Sequence, residues 1–199
     1  NDCPTLSNAS NFATSYTENG ANASVVNSTF AIVDADLATA STTQAWTATV
    51  QLTNGVSLDS LLVPTSANGF TVATPVYAYP NVTVTISGTG TATNLATLIK
   101  GITYKSGSDN PSTTARTVSI VVKDADVACA GSGNTTISIT GTNDCPTLSN
   151  ASNFATSYTE NGANTSIVNS TFAIVDADLA TASTTQAWTA TVQLTNGVS

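Results

Sequence analysis

The chain has 199 residues, 41% of them hydrophobic, so it is long enough to bury a core in one or two domains. Its formal net charge is −8, with no His and only four basic residues, which argues against a nucleic-acid partner and favours cations. No apolar run approaches the roughly 18 residues of a membrane span, and the sequence that begins at Asn1 shows no signal-peptide pattern. We therefore expect a segment from the middle of a longer chain, without membrane insertion.

Short segments that alternate polar and apolar residues follow one another between turn signals and predict strands. In chain order these are SYTENGAN (15–22), ending near Asn19-Gly20, then STFAIV (28–33), AWTATVQL (45–52), NVTVTIS (81–87), GITY (101–104), RTVSIVV (116–122) and TTISIT (135–140). Residues 93–100 instead place apolar side chains at helical spacing, which predicts a short helix that caps one end of the core.

Each long predicted strand has one apolar face that would line a buried interface, while Thr and Ser face outwards. The inward sets are Phe30 and Ile32, then Trp46, Ala48, Val50 and Leu52, then Val82, Val84 and Ile86, then Ile137 and Ile139. Seven or more antiparallel strands in about 140 residues predict an all-β, antiparallel sandwich.

An internal repeat has a period of 142 residues. Residues 1–57 and 143–199 are identical except that Ala23 and Val25 become Thr and Ile. We predict a tandem array with one complete repeat, 1–142, and the incomplete start of the next, 143–199. Because 57 residues cannot close such a core, we expect the second copy to pack against further sequence, either its own continuation or a neighbouring molecule.

Strands that alternate in direction should sort the acidic residues between the two ends of the sandwich. If the first strand descends from Asp2, the turn at Glu18 lies at the lower end and the next strand rises to the upper end. The upper end then gathers Asp2, Asp34, Asp36, Asp124 and Asp126. The lower end gathers Glu18 and Asp109, beside the connecting residues Asn143 and Asp144 and the next acidic pair, Asp176 and Asp178. Asp59 has no place in this scheme.

The triplet DAD occurs three times, at 34–36, 124–126 and 176–178. Carboxylates at i and i+2 of an extended segment lie about 6–7 Å apart and repel by about 2–3 kcal/mol at an effective dielectric near 20. Ca²⁺, which takes six to eight oxygen ligands and needs no His or Cys, suits such clusters better than Mg²⁺. The alternative is that each DAD only forms a turn, because Asp favours loop starts.

The segments YTENGA, VDADL, GITYKSGSDNPSTTARTVSIVVKDAD and ISITGTNDCPTL resemble the cadherin-like, immunoglobulin-like tandem repeats of large bacterial surface adhesins. Such repeats usually end in an ND-x-P linker, and calcium lies at each junction between domains. The resemblance implies that one junction is formed by Glu18, Asp109, Asn143, Asp144, Asp176 and Asp178. It implies that the equivalent junction with a preceding repeat is formed by Asp2, Asp34, Asp36 and one or both of Asp124 and Asp126.

The three cysteines depart from the resembling repeats, whose linkers usually carry Ala where this chain has Cys3 and Cys145. Strand directions place Cys3 and Cys129 at the same upper end, whereas Cys145 lies about 20 Å away, beyond a strand that rises 3.3 Å per residue. We therefore predict a Cys3–Cys129 disulfide and an oxidising, extracellular or cell-surface location. Free buried thiols are the alternative, because the count is odd.

Asn-x-Ser/Thr sequons offer candidate glycosylation sites on a surface that is short of charge. They begin at Asn8, Asn22, Asn27, Asn81, Asn134, Asn150, Asn164 and Asn169.

The sequence favours a structural protein over an enzyme, because it offers no His, no nucleophile beside a base and no glycine-rich phosphate loop. The leading hypothesis is a calcium-stiffened rod, adhesin stalk or filament, whose partners are neighbouring repeats end to end or side by side. The alternative is a surface module that binds glycan or ice. It rests on a predicted threonine ladder, Thr83, Thr85, Thr89, Thr91 and Thr93.

Overall fold

The computed structural model describes residues 2–37, 39, 41–124, 130–179 and 185–195. The chain forms two compact units, Asn1–Asn143 and Asp144–Ser199. As predicted, the described chain is all-β with one short helix, and that helix is too short to cross a membrane.

The strands of the first unit are β1 (Thr5–Ser7), β2 (Phe12–Thr17), β3 (Ala23–Ser24), β4 (Ala31–Val33), β5 (Thr43–Leu52), β6 (Asp59–Leu62), β7 (Phe70–Val72), β8 (Val76–Ala78), β9 (Asn81–Thr91), β10 (Thr103–Ser106), β11 (Arg116–Lys123) and β12 (Gly131–Thr140). The helix α1 (Ala92–Lys100) lies between β9 and β10. The second unit contains β13 (Thr147–Ser149) and β14 (Ala173–Val175).

One large sheet forms the first layer of the sandwich. Its strand order is β2-β12-β11-β5-β9-β7, and β8 also pairs with β9. The pairs are antiparallel except β2 with β12, which is parallel, so an entirely antiparallel sandwich was wrong in this one respect. The parallel pair follows from the strand directions, because the first long strand and the last one both descend to the lower end.

The second layer consists of the sheet β3-β10-β6, the pair β1-β4 and α1. Side chains from both layers form one buried cluster, and the inward faces expected of the long strands all belong to it. Trp46, Val50, Val84 and Ile120 are each at most 2% exposed. Burial of alternating apolar side chains therefore fixes the register of the long strands.

The helix agrees with the predicted span to within one residue. Thr91 caps its first turn, with the Thr91 hydroxyl oxygen accepting a hydrogen bond from the Asn94 amide at 3.1 Å. Leu95 and Ile99, one turn apart, are fully buried. The helix ends at Lys100, and the amide of the capping residue Gly101 donates hydrogen bonds to carbonyl oxygens of the last turn.

The second predicted strand is shorter than expected. The Asn27 side chain accepts hydrogen bonds from both the amide and the hydroxyl of Thr29, and the Phe30 amide donates to the Asn27 carbonyl. This local turn consumes the first half of the segment, so β4 begins only at Ala31.

The second unit repeats the first locally but does not bury the same side chains. Leu148 pairs with Ile174 as Leu6 pairs with Ile32. However, Trp188 is 44% exposed, although its equivalent in the first unit, Trp46, is only 2% exposed. In the first unit β5, which carries Trp46, is paired with β9 and β11, and the described second unit has no counterpart of those strands.

Candidate metal centre

Glu18 lies at the lower end of the first unit, one residue beyond β2. The Tyr16 hydroxyl donates to the Ser106 carbonyl at 2.8 Å, and the Glu18 amide donates to the Thr140 carbonyl at 2.9 Å. Asn19 then adopts a positive φ of 55°, which Asn tolerates, and the chain turns away. Glu18 is thus fixed at a strand end and is only 3% exposed.

The two carboxylate oxygens of Glu18 have different surroundings. Oε2 accepts hydrogen bonds from the Thr142 amide at 2.8 Å and the Thr142 hydroxyl at 3.4 Å, which attaches the chain after β12 to this carboxylate. Oε1 is buried and has no hydrogen-bond partner among the described residues. A buried carboxylate oxygen without a partner carries a desolvation cost, so this position favours a cation.

A second carboxylate of the first unit lies beside that of Glu18. Asp109 comes from the loop between β10 and β11, and one of its carboxylate oxygens lies within 4.8 Å of a carboxylate oxygen of Glu18. Two unit charges at that separation repel by about 3 kcal/mol at an effective dielectric near 20.

The two side chains offer a hard cation only oxygen ligands, and Glu18 supplies a fixed, buried carboxylate whose Oε1 has no hydrogen-bond partner in the described structure. Ca²⁺ accepts carboxylates in loose geometry and completes its shell with carbonyls and water, whereas Zn²⁺ sites prefer Cys or His.

At the upper end, the DAD loop uses its first carboxylate in a turn. Asp34 Oδ1 accepts from the Asp36 amide at 3.0 Å, and Asp34 Oδ2 accepts from the Gln44 side chain at 2.8 Å. Asp36 Oδ2 in turn accepts from the Asp2 amide. The structure thus brings these three acidic residues together. Asp34 also forms a turn, as the alternative interpretation of the DAD triplet expects.

The second unit reproduces this arrangement. The Asp178 amide donates to Asp176 Oδ1 at 3.0 Å, the Gln186 side chain donates to Asp176 Oδ2 at 3.0 Å, and the Asp144 amide donates to Asp178 Oδ2 at 2.5 Å.

The structure describes only some of the other predicted site residues. Asp124 is 5% exposed at the end of β11, and Asn143 is exposed. Asp126 and Cys129 lie outside the described residues, so the predicted disulfide also lies outside them. Cys145 is free and exposed.

The sequons lie at the surface to different extents. Asn8, Asn22, Asn134, Asn150 and Asn164 are exposed. Asn27, Asn81 and Asn169 are only partly exposed, and the Asn27 side chain is engaged in its own turn.

The five threonines of the glycan or ice hypothesis do not form one ladder. Thr83, Thr85, Thr89 and Thr91 lie at positions of the same phase on the outer side of β9, and Thr91 also caps α1, whereas Thr93 lies inside that helix. A strand face and a helix end present their hydroxyl groups at different spacings, so the expectation of a continuous threonine array was wrong.

The sequence interpretation missed a buried ion pair. Arg116 Nε lies 2.6 Å from Asp59 Oδ2, and both side chains are 0% exposed. The Tyr104 hydroxyl donates to Asp59 Oδ1 at 2.6 Å. Burial raises the pKa of Tyr104 above its usual value, and the hydrogen bond to Asp59 raises it further. The signal was present, because Arg116 lies on the same side of β11 as the buried Val118 and Ile120.

No protein-family model, curated protein or solved structure matches this chain.

Proposed function

We propose that this chain is a structural repeat of an extracellular, calcium-stiffened rod, of the kind that forms an adhesin stalk or a filament, with Ca²⁺ at the junctions between repeats. The observation that carries the proposal is the buried Glu18 Oε1, which lacks a hydrogen-bond partner among the described residues and belongs to a carboxylate that lies beside that of Asp109. The cadherin-like character of the repeat is part of this proposal and rests on the resemblance in sequence.

The ligands that we propose come from segments with different mobility. Glu18 is fixed by β2 and β12, Asp109 lies on a loop, and Asp144 lies on the connection between repeats. A cation bound to all three would tie that connection to the end of the preceding sandwich. Asn143, Asp176 and Asp178, which the resemblance adds, would complete an oxygen shell of the size that Ca²⁺ takes. The connection would then lose much of its rotational freedom.

The acidic group at the start of the first unit would serve the junction with a preceding repeat. Asp2 and Asp36 are already joined through a hydrogen bond, in the same way as Asp144 and Asp178. The ions would bind with dissociation constants of about 10⁻⁴–10⁻³ M, as in extracellular modules generally. Such sites are filled outside cells and emptied by chelators.

Two further parts of the proposal concern the extracellular setting. A Cys3–Cys129 disulfide would connect the segment before β1 to the loop between β11 and β12, and so stabilise the upper acidic group. Glycans at the exposed sequons would add bulk and solubility to a surface with few charges.

The test is the stiffness of an array of complete repeats. Small-angle X-ray scattering of three joined copies of residues 1–142 should give a longer maximum dimension and a narrower distribution of shapes in Ca²⁺ than in chelator. The same array with Glu18→Gln in every copy should resemble the chelated form in both solutions. Equal dimensions in calcium and chelator would contradict the proposal.

A further inference from the structure

The Asp59–Arg116 ion pair is poorly explained by stability alone. Both side chains are completely buried, and Arg116 Nη2 finds no hydrogen-bond partner in the described part of the chain. Buried ion pairs often contribute no more stability than apolar side chains of the same volume, because two charges must be desolvated. Their better-attested role is to specify one arrangement of the chain around them.

The pair holds the start of the loop that carries Asp109. Tyr104, in β10, donates to Asp59, and the residue before Asp59 is Leu58, whose carbonyl accepts from the Gly107 amide at 3.0 Å. Leu58 has a φ of +73°, a conformation that is costly for a bulky L-residue and persists only when its surroundings enforce it.

The same pair also holds the end of that loop. The Arg116 guanidinium donates through Nη1 to the Thr114 carbonyl. The Asn54 side chain bonds to the Ala115 carbonyl and to the Thr117 amide, each at 2.7 Å. Both ends of the loop are thus fixed within three residues of the ion pair or its tyrosine.

The network extends to Glu18 as well. The Tyr16 and Tyr104 rings pack edge to face, with centroids 5.3 Å apart and an interplanar angle of 86°. Tyr16 also bonds to the Ser106 carbonyl and lies two residues before Glu18 on β2. One connected set of buried side chains therefore supports both carboxylates that the first unit contributes.

We propose that Asp59, Arg116 and Tyr104 are positioning residues for calcium, which hold the loop of Asp109 and the strand end of Glu18 so that their oxygens converge. This inference rests on the proposed calcium-binding function. Residues that support metal ligands from outside the coordination shell typically change affinity by about 10–100-fold when they are mutated. Because these three act through backbone segments, we expect the lower end of that range.

The experiment uses the full chain and the variant Tyr104→Phe, which removes one donor from Asp59 and leaves the ring in place. The control is Trp46→Phe, which removes a different buried donor, the indole N–H that bonds to the Gly90 carbonyl at 3.1 Å in the upper part of the sandwich. Calcium affinity is measured by titration calorimetry, with Glu18→Gln identifying the site. Amide hydrogen exchange of residues 107–115 is measured without calcium.

Tyr104→Phe should weaken calcium binding about tenfold and speed amide exchange in 107–115, whereas Trp46→Phe should change neither. If Tyr104→Phe does not fold, Arg116→Lys replaces it, since Lys keeps the charge but loses the guanidinium contact to Thr114. Wild-type calcium binding that the variant leaves unchanged would overturn this inference alone. A wild-type chain that binds no calcium at Glu18 would overturn the proposed function and this inference with it.

Discussion

Replacing Glu18 by Gln tests the electrostatics of the candidate metal centre, and the repeat provides its own control. Glu160 occupies the equivalent position in the second copy, but there it is exposed and, in the described part of the chain, belongs to no group of potential metal ligands. Glu18→Gln and Glu160→Gln are therefore the same chemical change in the same local sequence. Only the first removes a charge from a crowded, buried position.

The size of the effect follows from the distances. The Asp109 carboxylate lies within 4.8 Å of that of Glu18 and repels it by about 3 kcal/mol at an effective dielectric near 20. The substitution relieves this repulsion but weakens the hydrogen bond from Thr142, a loss of about 1–2 kcal/mol. Salt and the exposure of Asp109 reduce the repulsion. Without calcium, Glu18→Gln should therefore raise the free energy of unfolding by about 1 kcal/mol.

Calcium should have the opposite effect. At about 10 mM Ca²⁺ and a dissociation constant of 10⁻⁴–10⁻³ M, the wild type gains about 1.4–2.7 kcal/mol by linkage. The Glu18→Gln chain should gain much less stability from calcium. Its excess free energy of unfolding over the wild type should therefore shrink by about that amount. Glu160→Gln should stay within about 0.5 kcal/mol of the wild type in both solutions.

The assay is chemical denaturation with and without chelator, followed by Trp fluorescence and circular dichroism. A Glu18→Gln chain that is less stable than the wild type in chelator would refute the repulsion argument. An equal calcium-induced shift in both proteins would refute the assignment of the ion to Glu18.

Three further outcomes can be checked separately. Because the unfolded-state pKa of Tyr is about 10 and burial raises that of folded Tyr104, stability should fall above pH 10 by up to about 1.4 kcal/mol per pH unit. Between pH 9 and 11 the free energy of unfolding should fall less steeply with pH for Tyr104→Phe than for the wild type, and equal slopes would contradict this. Adding a second copy of residues 58–142 at the end of the chain should shift Trp188 fluorescence to the blue, towards the buried state of Trp46, and unchanged emission would count against the repeat. Thiol labelling without reductant should modify Cys145 only, whereas three reactive thiols would exclude the disulfide.

The long strands were predictable because their alternation is long enough to be unambiguous. In β11 and β12 every second residue is buried, as it is over residues 46–52 of β5 and 82–86 of β9, and the apolar residues of the sequence have the same phase. The short strands β1, β3, β6, β7 and β8 have two to four residues, too few for a period to be recognised. β1, β3 and β6 pair outside the large sheet and β7 and β8 pair with β9, so local sequence alone does not specify their partners.

The candidate site was predictable in its location but not in its energetics. Strand direction alone assigns Glu18 and Asp109 to one end, and the structure places them together. Sequence could not show that Glu18 would be buried with one oxygen unpaired in the described structure, or that Asp34 would use one oxygen in its own turn and the other to accept from the Gln44 side chain. These properties depend on contacts between residues far apart in the chain.

The buried ion pair between Asp59 and Arg116 could have been predicted from the alternation of inward and outward residues along the strands. Arg116 has the inward phase of β11, and a charged residue at an inward position requires a buried partner. Asp59 was the acidic residue left without a role, so the two could have been paired. The strand β6 that carries Asp59 was too short to be recognised, which is why its inward orientation was missed.

The most direct measurement is anomalous X-ray diffraction from crystals of the full chain grown with Ca²⁺. We predict a calcium peak about 2.3–2.6 Å from Glu18 Oε1 and from one oxygen each of Asp109 and Asp144. A map with no peak there, in which Glu18 Oε1 instead bonds to a water molecule or a protein donor, would contradict it.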